Sequence, residues 1–333
     1  MKRPRSLLFR LVRLGLLLGV VLLAYGLWEP GADFRDGRHD RGHNGIWLAH
    51  GWLGADTWFR EHAKQDQLSS YRSPEALRRL AAECAENHLT DVFPHLCPCE
   101  ISGALPPVDD AQVERFLEAL PNCRVMPWIG GPSPSPARYV DADWRAAFCQ
   151  SIRALLAAHP RLAGIHLNIE PMASGDAAYL TLLDELHRAL PAGKILSIAA
   201  YPPPTRWHPF PDVHWNEAYF REVAKRSDQL AVMLYDTALT RPKWYRKLMS
   251  DWTVEVLAWA EGKPVLLGLA AYEDADTGYH HPETENIANG LAGMHAGLVR
   301  AGLPANYQGV AIYCHWQMDA AKWALWKERF LRR

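Results

Sequence analysis

The 333-residue chain lacks a charge excess of either sign: 36 Lys and Arg stand against 37 Asp and Glu. Without a positive field there is nothing to gather nucleic acid, and a neutral partner such as a sugar is easier to accommodate. Cysteine is sparse, and six in a chain of this length are too few for a disulfide-built scaffold. Cys97-Pro98-Cys99 has one residue between its thiols, so it lacks the Cys-x-x-Cys redox spacing, and no second pair completes a zinc site. Export would permit a disulfide that involves this loop. No G-x-G-x-x-G turn is present, which removes the phosphate-binding signature of a dinucleotide fold. No metal or cofactor is expected.

Long apolar runs are also missing, with one exception. Residues 14–28 are uncharged and follow Lys2, Arg3, Arg5, Arg10 and Arg13, the basic-then-apolar order of an export signal. The run falls short of the ~20 residues of a spanning helix unless 7–12 join it, with arginine snorkelling. An uncleaved anchor with its basic end in the cytoplasm is the preferred reading. A signal cleaved near Ala24-Tyr25-Gly26 is the alternative. Either way the remainder is expected outside the cytoplasm, membrane-anchored or secreted. Residues 29–44 are polar, charged and aperiodic and read as a linker, with one folded domain over 45–333.

Within that domain short apolar runs recur at 46–49, 89–93, 124–129, 163–169, 195–200, 230–234, 265–270 and 310–314. Helix-like segments alternate with them at 74–87, 111–119, 144–158, 177–190, 217–225, 254–261, 287–301 and 320–331. Ser73 and Asp319 stand as caps, and Pro74 occupies a first helical position. Strict strand-helix alternation predicts an α/β fold, a (β/α)8 TIM barrel; an open doubly wound sheet is the alternative and lacks its glycine turn. Helix-to-strand connections such as Ala192-Gly193-Lys194 are tight. Strand-to-helix loops are longer and aromatic, with Trp52 and Trp58 after the first strand and Trp207 and Trp215 after the fifth. That asymmetry puts the working surface at the strand C-terminal face. No long insertion follows the seventh strand, so an open, shallow cleft is expected there. Trp144, Trp252, Trp259, Trp323 and Trp326, on helices, are assigned to the core.

The fourth strand carries the chemistry. In Leu162 to Pro171, alternation puts His166, Asn168 and Glu170 on one face and Ile165, Leu167 and Ile169 on the other. A polar row ending in Glu suits a strand lining a barrel. Apolar walls there raise a carboxyl toward a general acid's working range. Deeper in the barrel, His166 is expected to be a hydrogen-bonding structural residue.

The segment Ala163-Gly164-Ile165-His166-Leu167-Asn168-Ile169-Glu170 resembles the strand-four signature of glycoside hydrolase family 18, Asp-Gly-x-Asp-x-Asp-x-Glu, with Gly and Glu kept and the three Asp positions changed. Met233-Leu234-Tyr235-Asp236 resembles the family's Met-x-Tyr-Asp strand, and the eighth strand runs into Trp316, where that family has an aromatic floor. The resemblance implies a retaining, substrate-assisted glycosidase acting on a glycan that contains N-acetylhexosamine. Glu170 would be the acid, and Asn168 and Tyr235 would hold the acetamido nucleophile, as an Asn-x-Glu pair does in family 85. Asp236, Trp316, Trp128, Trp47 and Tyr201 would contact the sugar. Asn168-Ile169-Glu170-Pro171 also faintly resembles the Asn-Glu-Pro of two-carboxylate retaining enzymes; Glu273 would then be nucleophile, with Asp91 another possible partner. A third reading is a non-catalytic glycan-binding barrel.

Overall fold

The computed structural model describes residues 5–274 and 276–331. Its strands are β1 (Asn44–Leu48), β2 (Leu89–Pro94), β3 (Arg124–Val125), β4 (Trp128–Pro132), β5 (Gly164–Glu170), β6 (Ile195–Ala200), β7 (Gln229–Val232), β8 (Val265–Ala270) and β9 (Tyr307–Tyr313). They form one parallel sheet in the order β3-β2-β1-β9-β8-β7-β6-β5-β4. β3 and β4 are halves of one barrel strand, interrupted at Met126-Pro127 where proline has no N–H to give the ladder. The two ends of the order therefore meet. Met126 N donates to Val92 O at 3.0 Å, Leu96 N to Trp128 O at 2.8 Å and His166 N to Pro127 O at 2.9 Å. The barrel is closed as the strand-helix alternation predicts.

Helices wrap it at Pro74–Glu86, Asp110–Ala119, Ala142–Ala158, Ala177–Ala189, Glu217–Lys225, Pro242–Trp259, Ile287–Ala301 and Ala320–Arg329. Side-chain caps explain where most begin: Ser73, Asp109, Asp141, Asp176, Asn216, Asn286 and Asp319 each accept from a first-turn N–H. The sixth helix starts at Pro242 rather than at 254. Lys243, Arg246, Lys247 and Asp251 obscure its apolar stripe in the sequence, yet Tyr245, Met249, Trp252 and Val256 recur at helical spacing and are buried.

The two faces of the strands do different work. Outward residues such as Ile165, Leu167, Leu196, Ile198, Leu267 and Ile312 merge with the helices into the large core. Each contributes about 1.5–3 kcal/mol by burial, so this layer supplies most of the stability. Inward residues form a smaller aromatic cluster of Trp47, Phe93, Met126, Trp128, Ala231, Leu266 and Ala311. Gly164 is required by the packing, since a Cβ there would stand 2.0 Å from the Ile195 carbonyl oxygen.

Three readings of the sequence change. Residues 29–44 are a fixed strap on the barrel rather than a free linker: Glu29 pairs with Arg246 at 2.9 Å, Ala32 N donates to Ala292 O at 2.8 Å, and His39 meets His295 at 2.7 Å. The polar residues that suggested a linker are the ones that find partners. All six cysteines are free thiols, including those of the 97–99 loop. Asp91, taken as a possible catalytic partner, sits fully buried near the N-terminal end of the barrel. It accepts from Arg124 at 2.6 and 2.7 Å and from Gln229 at 2.6 Å, and it closes the base away from the mouth.

Asp91→Ala is expected to destabilise the domain by about 2–3 kcal/mol in urea unfolding. That is below the ~3–5 kcal/mol of a fully buried pair, because the Arg124 side chain is 36% exposed.

A candidate active site at the barrel mouth

Seven of the residues expected at the site meet in one cavity of about 680 Å³: Glu170, Asn168, Tyr235, Asp236, Trp128, Trp47 and Tyr201. Its size is in the range of small-molecule pockets. Its wall comes from the loop after β6, through Trp207, His208, Phe210 and His214, and from the loop after β7, through Thr237, Ala238 and Leu239. This makes a walled pocket where an open cleft was expected: the loops after the fifth and seventh barrel strands, 201–216 and 271–286, are equally long, and the second also reaches the cavity, through Tyr279.

The β5 row builds the site from its base upward. His166 is fully buried; its Nε2 accepts from Trp47 Nε1 at 3.0 Å, and its Nδ1 therefore carries the proton toward Ser197 Oγ at 2.9 Å. Burial pushes the imidazole down to about 3, so it is a neutral strut. Asn168 is 7% exposed, and among the described residues its Oδ1 has no hydrogen-bond partner. An orphaned buried acceptor in a cavity calls for a donor from a ligand. Gly130, beside it at φ 114°, leaves no room for a side chain, since a Cβ would lie 2.3 Å from Asn168 O.

Glu170 ends the row. Burial raises its carboxyl above the usual range; hydrogen bonds from Tyr201 and Asn168 oppose the rise, and the nearby Asp236 charge adds to it. None of these neighbours is a cation.

Asp236, at φ 63°, turns the chain in the loop after β7. Its Oδ1 accepts from the Tyr272 hydroxyl and lies 3.2 Å from His280 Nδ1. His280 stacks on Tyr272 and is 3.9 Å from Glu285, whose carboxylate receives Thr237 N at 3.1 Å. Burial raises Glu285 to about 7. Burial alone would lower His280, but the bond to Asp236 and the charge of Glu285 outweigh it, and its pKa is raised. Asp236, His280 and Glu285 place their donor atoms within 4.8 Å of one another, a set able to hold a cation as well as a proton.

The aromatic floor differs from expectation. Trp316 lies in a short turn after β9, half-exposed, and does not line the cavity; it meets Tyr313 edge-on at 5.7 Å. Tyr313 is the residue facing in. It stacks on Tyr235 at 5.5 Å and meets Trp47, Trp128 and Tyr272 edge-on. Strand parity carries the signal, since Tyr313 is two residues beyond the inward Ala311 whereas Trp316 is three beyond Tyr313, past the strand's end. Glu273 is also elsewhere. It is exposed, bound to Lys322 at 2.7 Å, in a separate hollow with Pro282 and Glu283.

No family profile matches the sequence, and no curated protein does. Solved structures match by fold. The spore cortex-lytic enzyme SleL of Bacillus cereus aligns with TM-score 0.55 over 86% of this chain and 75% of that one, at 13% identity. A chitinase from Rhizomucor miehei aligns with TM-score 0.56 over 86% and 99%, at 14% identity. The family GH18 chitinase of Cycas revoluta, solved in a complex with allosamidin, gives 0.53 over 86% and 98%, at 15% identity. At such identities the likeness is one of fold: the chain is a (β/α)8 barrel similar to those of these enzymes.

The buried acid cluster predicts a pH effect on stability. Glu285 and His280 both have raised pKa values, so the folded state holds protons that the unfolded chain releases, and stability falls as pH rises, for Glu285 between about 4.5 and 7. Glu285→Gln should flatten that decline when urea midpoints are measured across the window. An unchanged slope would mean that Glu285 does not titrate there.

Proposed function

We propose that this protein is a retaining glycoside hydrolase that cleaves a glycan containing N-acetylhexosamine, with the substrate's acetamido group as nucleophile. The observation that carries the proposal is the pair at the end of β5. An uncharged-prone carboxyl, Glu170, stands in an aromatic cavity beside Asn168, whose buried Oδ1 lacks a donor. The acetamido N–H is such a donor. Accepted by Asn168 Oδ1, it turns the acetamido carbonyl toward the anomeric carbon, and the Tyr235 hydroxyl is the donor for that carbonyl.

In the first step the carbonyl oxygen bonds to the anomeric carbon as the glycosidic bond breaks, and Glu170 gives its proton to the departing oxygen. The oxazolinium formed is then opened by water, whose proton returns to Glu170, so configuration is retained and Glu170 is regenerated. Tyr313, with Trp47 and Trp128, gives the sugar an aromatic surface. A second protein carboxylate as nucleophile would have to lie about 5 Å from Glu170; Glu273, tied to Lys322 in another hollow, has no support for that role. The exposed export segment supports an extracytoplasmic, membrane-anchored enzyme: Arg5–Leu27 is a helix, and its Phe9–Leu27 stretch is apolar enough to cross a bilayer and unburied by the barrel.

Glu170→Gln should lower hydrolysis of N-acetylated glycans by about 100- to 10,000-fold and keep glycan affinity. Binding without cleavage by the unaltered protein would replace the enzyme with a lectin. Activity needs Glu170 protonated, so kcat/KM should hold at low pH and fall as pH rises through the raised pKa.

Asn168→Asp tests the positioning role separately. It should retain or raise activity on acetylated substrates and move the alkaline limb to higher pH, since a new like charge further disfavours ionised Glu170. Equal activity on substrates without the acetamido group would overturn the substrate-assisted reading.

A further inference from the structure

The end of the N-terminal helix is fastened to the barrel close to the cavity. Lys243 Nζ donates to the carbonyls of Tyr25, Gly26 and Trp28 at 3.0, 3.0 and 2.5 Å, which caps the helix C-terminus with a cation. Trp28 packs on Trp244 at 4.9 Å, and Glu29 pairs with Arg246. Lys243 and Trp244 open the Pro242–Trp259 helix. A barrel helix that follows a strand starts at the mouth, so the attachment is at mouth level.

Dimensions then fix where a bilayer would lie. Phe9–Leu27 has 19 residues; at about 1.5 Å each it spans roughly the ~30 Å hydrocarbon core. Leu27 thus reaches the core boundary, and Tyr25 and Trp28 fall at the level where membrane proteins carry aromatic belts. Trp244, touching Trp28, is at the same level.

The cavity rim adjoins it. Leu239, which lines the cavity, precedes Trp244 by five residues, a reach of at most about 18 Å. His208 Nε2 meets Thr237 O at 2.7 Å and Ala238 N donates to Tyr279 O at 2.8 Å, so the three rim loops are bonded to one another. Large apolar side chains that the barrel does not use for packing stand on these loops, Trp207 at 74% exposed, Phe210 at 55% and Tyr279 at 51%, and at the head of the Pro242–Trp259 helix, Trp244 at 50%. An exposed aromatic group of this size marks an interaction surface.

We propose that this rim is a bilayer-docking surface, with Trp207, Phe210, Tyr279 and Trp244 seated in the interface beside the anchor, so that the cavity takes glycans borne at the membrane surface. The inference rests on the anchored-hydrolase reading and adds the orientation of the mouth and the source of the substrate.

The test uses the full chain in phosphatidylcholine vesicles brominated at the 6,7 positions of the acyl chain, with tryptophan fluorescence as readout. Trp28→Phe, Trp207→Phe and Trp244→Phe should each remove part of the bromine quenching, whereas Trp259→Phe, at the far end of the same helix, should remove none. Loss confined to Trp28→Phe would leave the anchor standing and overturn the docking surface. Failure of the chain to float with vesicles would overturn both. On substrate, Trp244→Ser should slow cleavage of a lipid-borne N-acetylhexosamine glycan roughly tenfold, the worth of one such side chain at the interface, and leave the rate on the same glycan free in solution unchanged. Equal slowing on both forms, or none on either, would overturn the membrane-borne substrate. Absence of any cleavage with the quenching pattern intact would defeat the hydrolase reading alone.

Discussion

A carboxyl group held at the end of a barrel strand with no cation beside it is the constraint on which the rest of the site depends. Glu170 is shifted by burial first, and the groups that modulate it are Tyr201, Asn168 and Asp236. Burying a lone carboxylate is costly, so the group keeps its proton more readily than in water. The aromatic surround, the neutral His166 strut and the outward-facing aliphatic core all serve that condition. They surround Glu170 without placing an arginine or lysine where it would hold the carboxylate ionised.

Much of this was legible in the sequence because period-two alternation ties side-chain direction to chain position. The row His166, Asn168, Glu170 could be read as inward from its neighbours Ile165, Leu167 and Ile169, and it points inward. The same rule, applied to β9, selects Tyr313 rather than Trp316; the resemblance to a family with tryptophan at its floor drew the reading one turn too far. Glu273 and Asp91 show the opposite limit. A carboxylate after a strand can face any of several hollows, and Lys322 and Arg124, distant in sequence, decide which.

The same difficulty hides His280 and Glu285. They belong to the loop after β8, which carries no periodic pattern, and their meeting with Asp236 depends on a left-handed turn in another loop. Residues 29–44 were misread for a related reason. A polar, aperiodic segment looks the same in sequence whether its hydrogen bonds go to water or to protein, and here His39, Glu29 and Asp40 go to protein.

With the inner positions of β5 occupied by His166 and Asn168, the strand brings no negative charge of its own to the site besides Glu170. Asp236 is the charge that reaches Glu170 from the loop after β7, and its Oδ1 is shared with Tyr272 and His280. His280, 3.2 Å from Asp236 Oδ1 and 3.9 Å from Glu285, joins that carboxylate to a second, buried one. Asp236 is thus a negative charge near Glu170 whose own partners, Tyr272 and His280, come from the loop after β8.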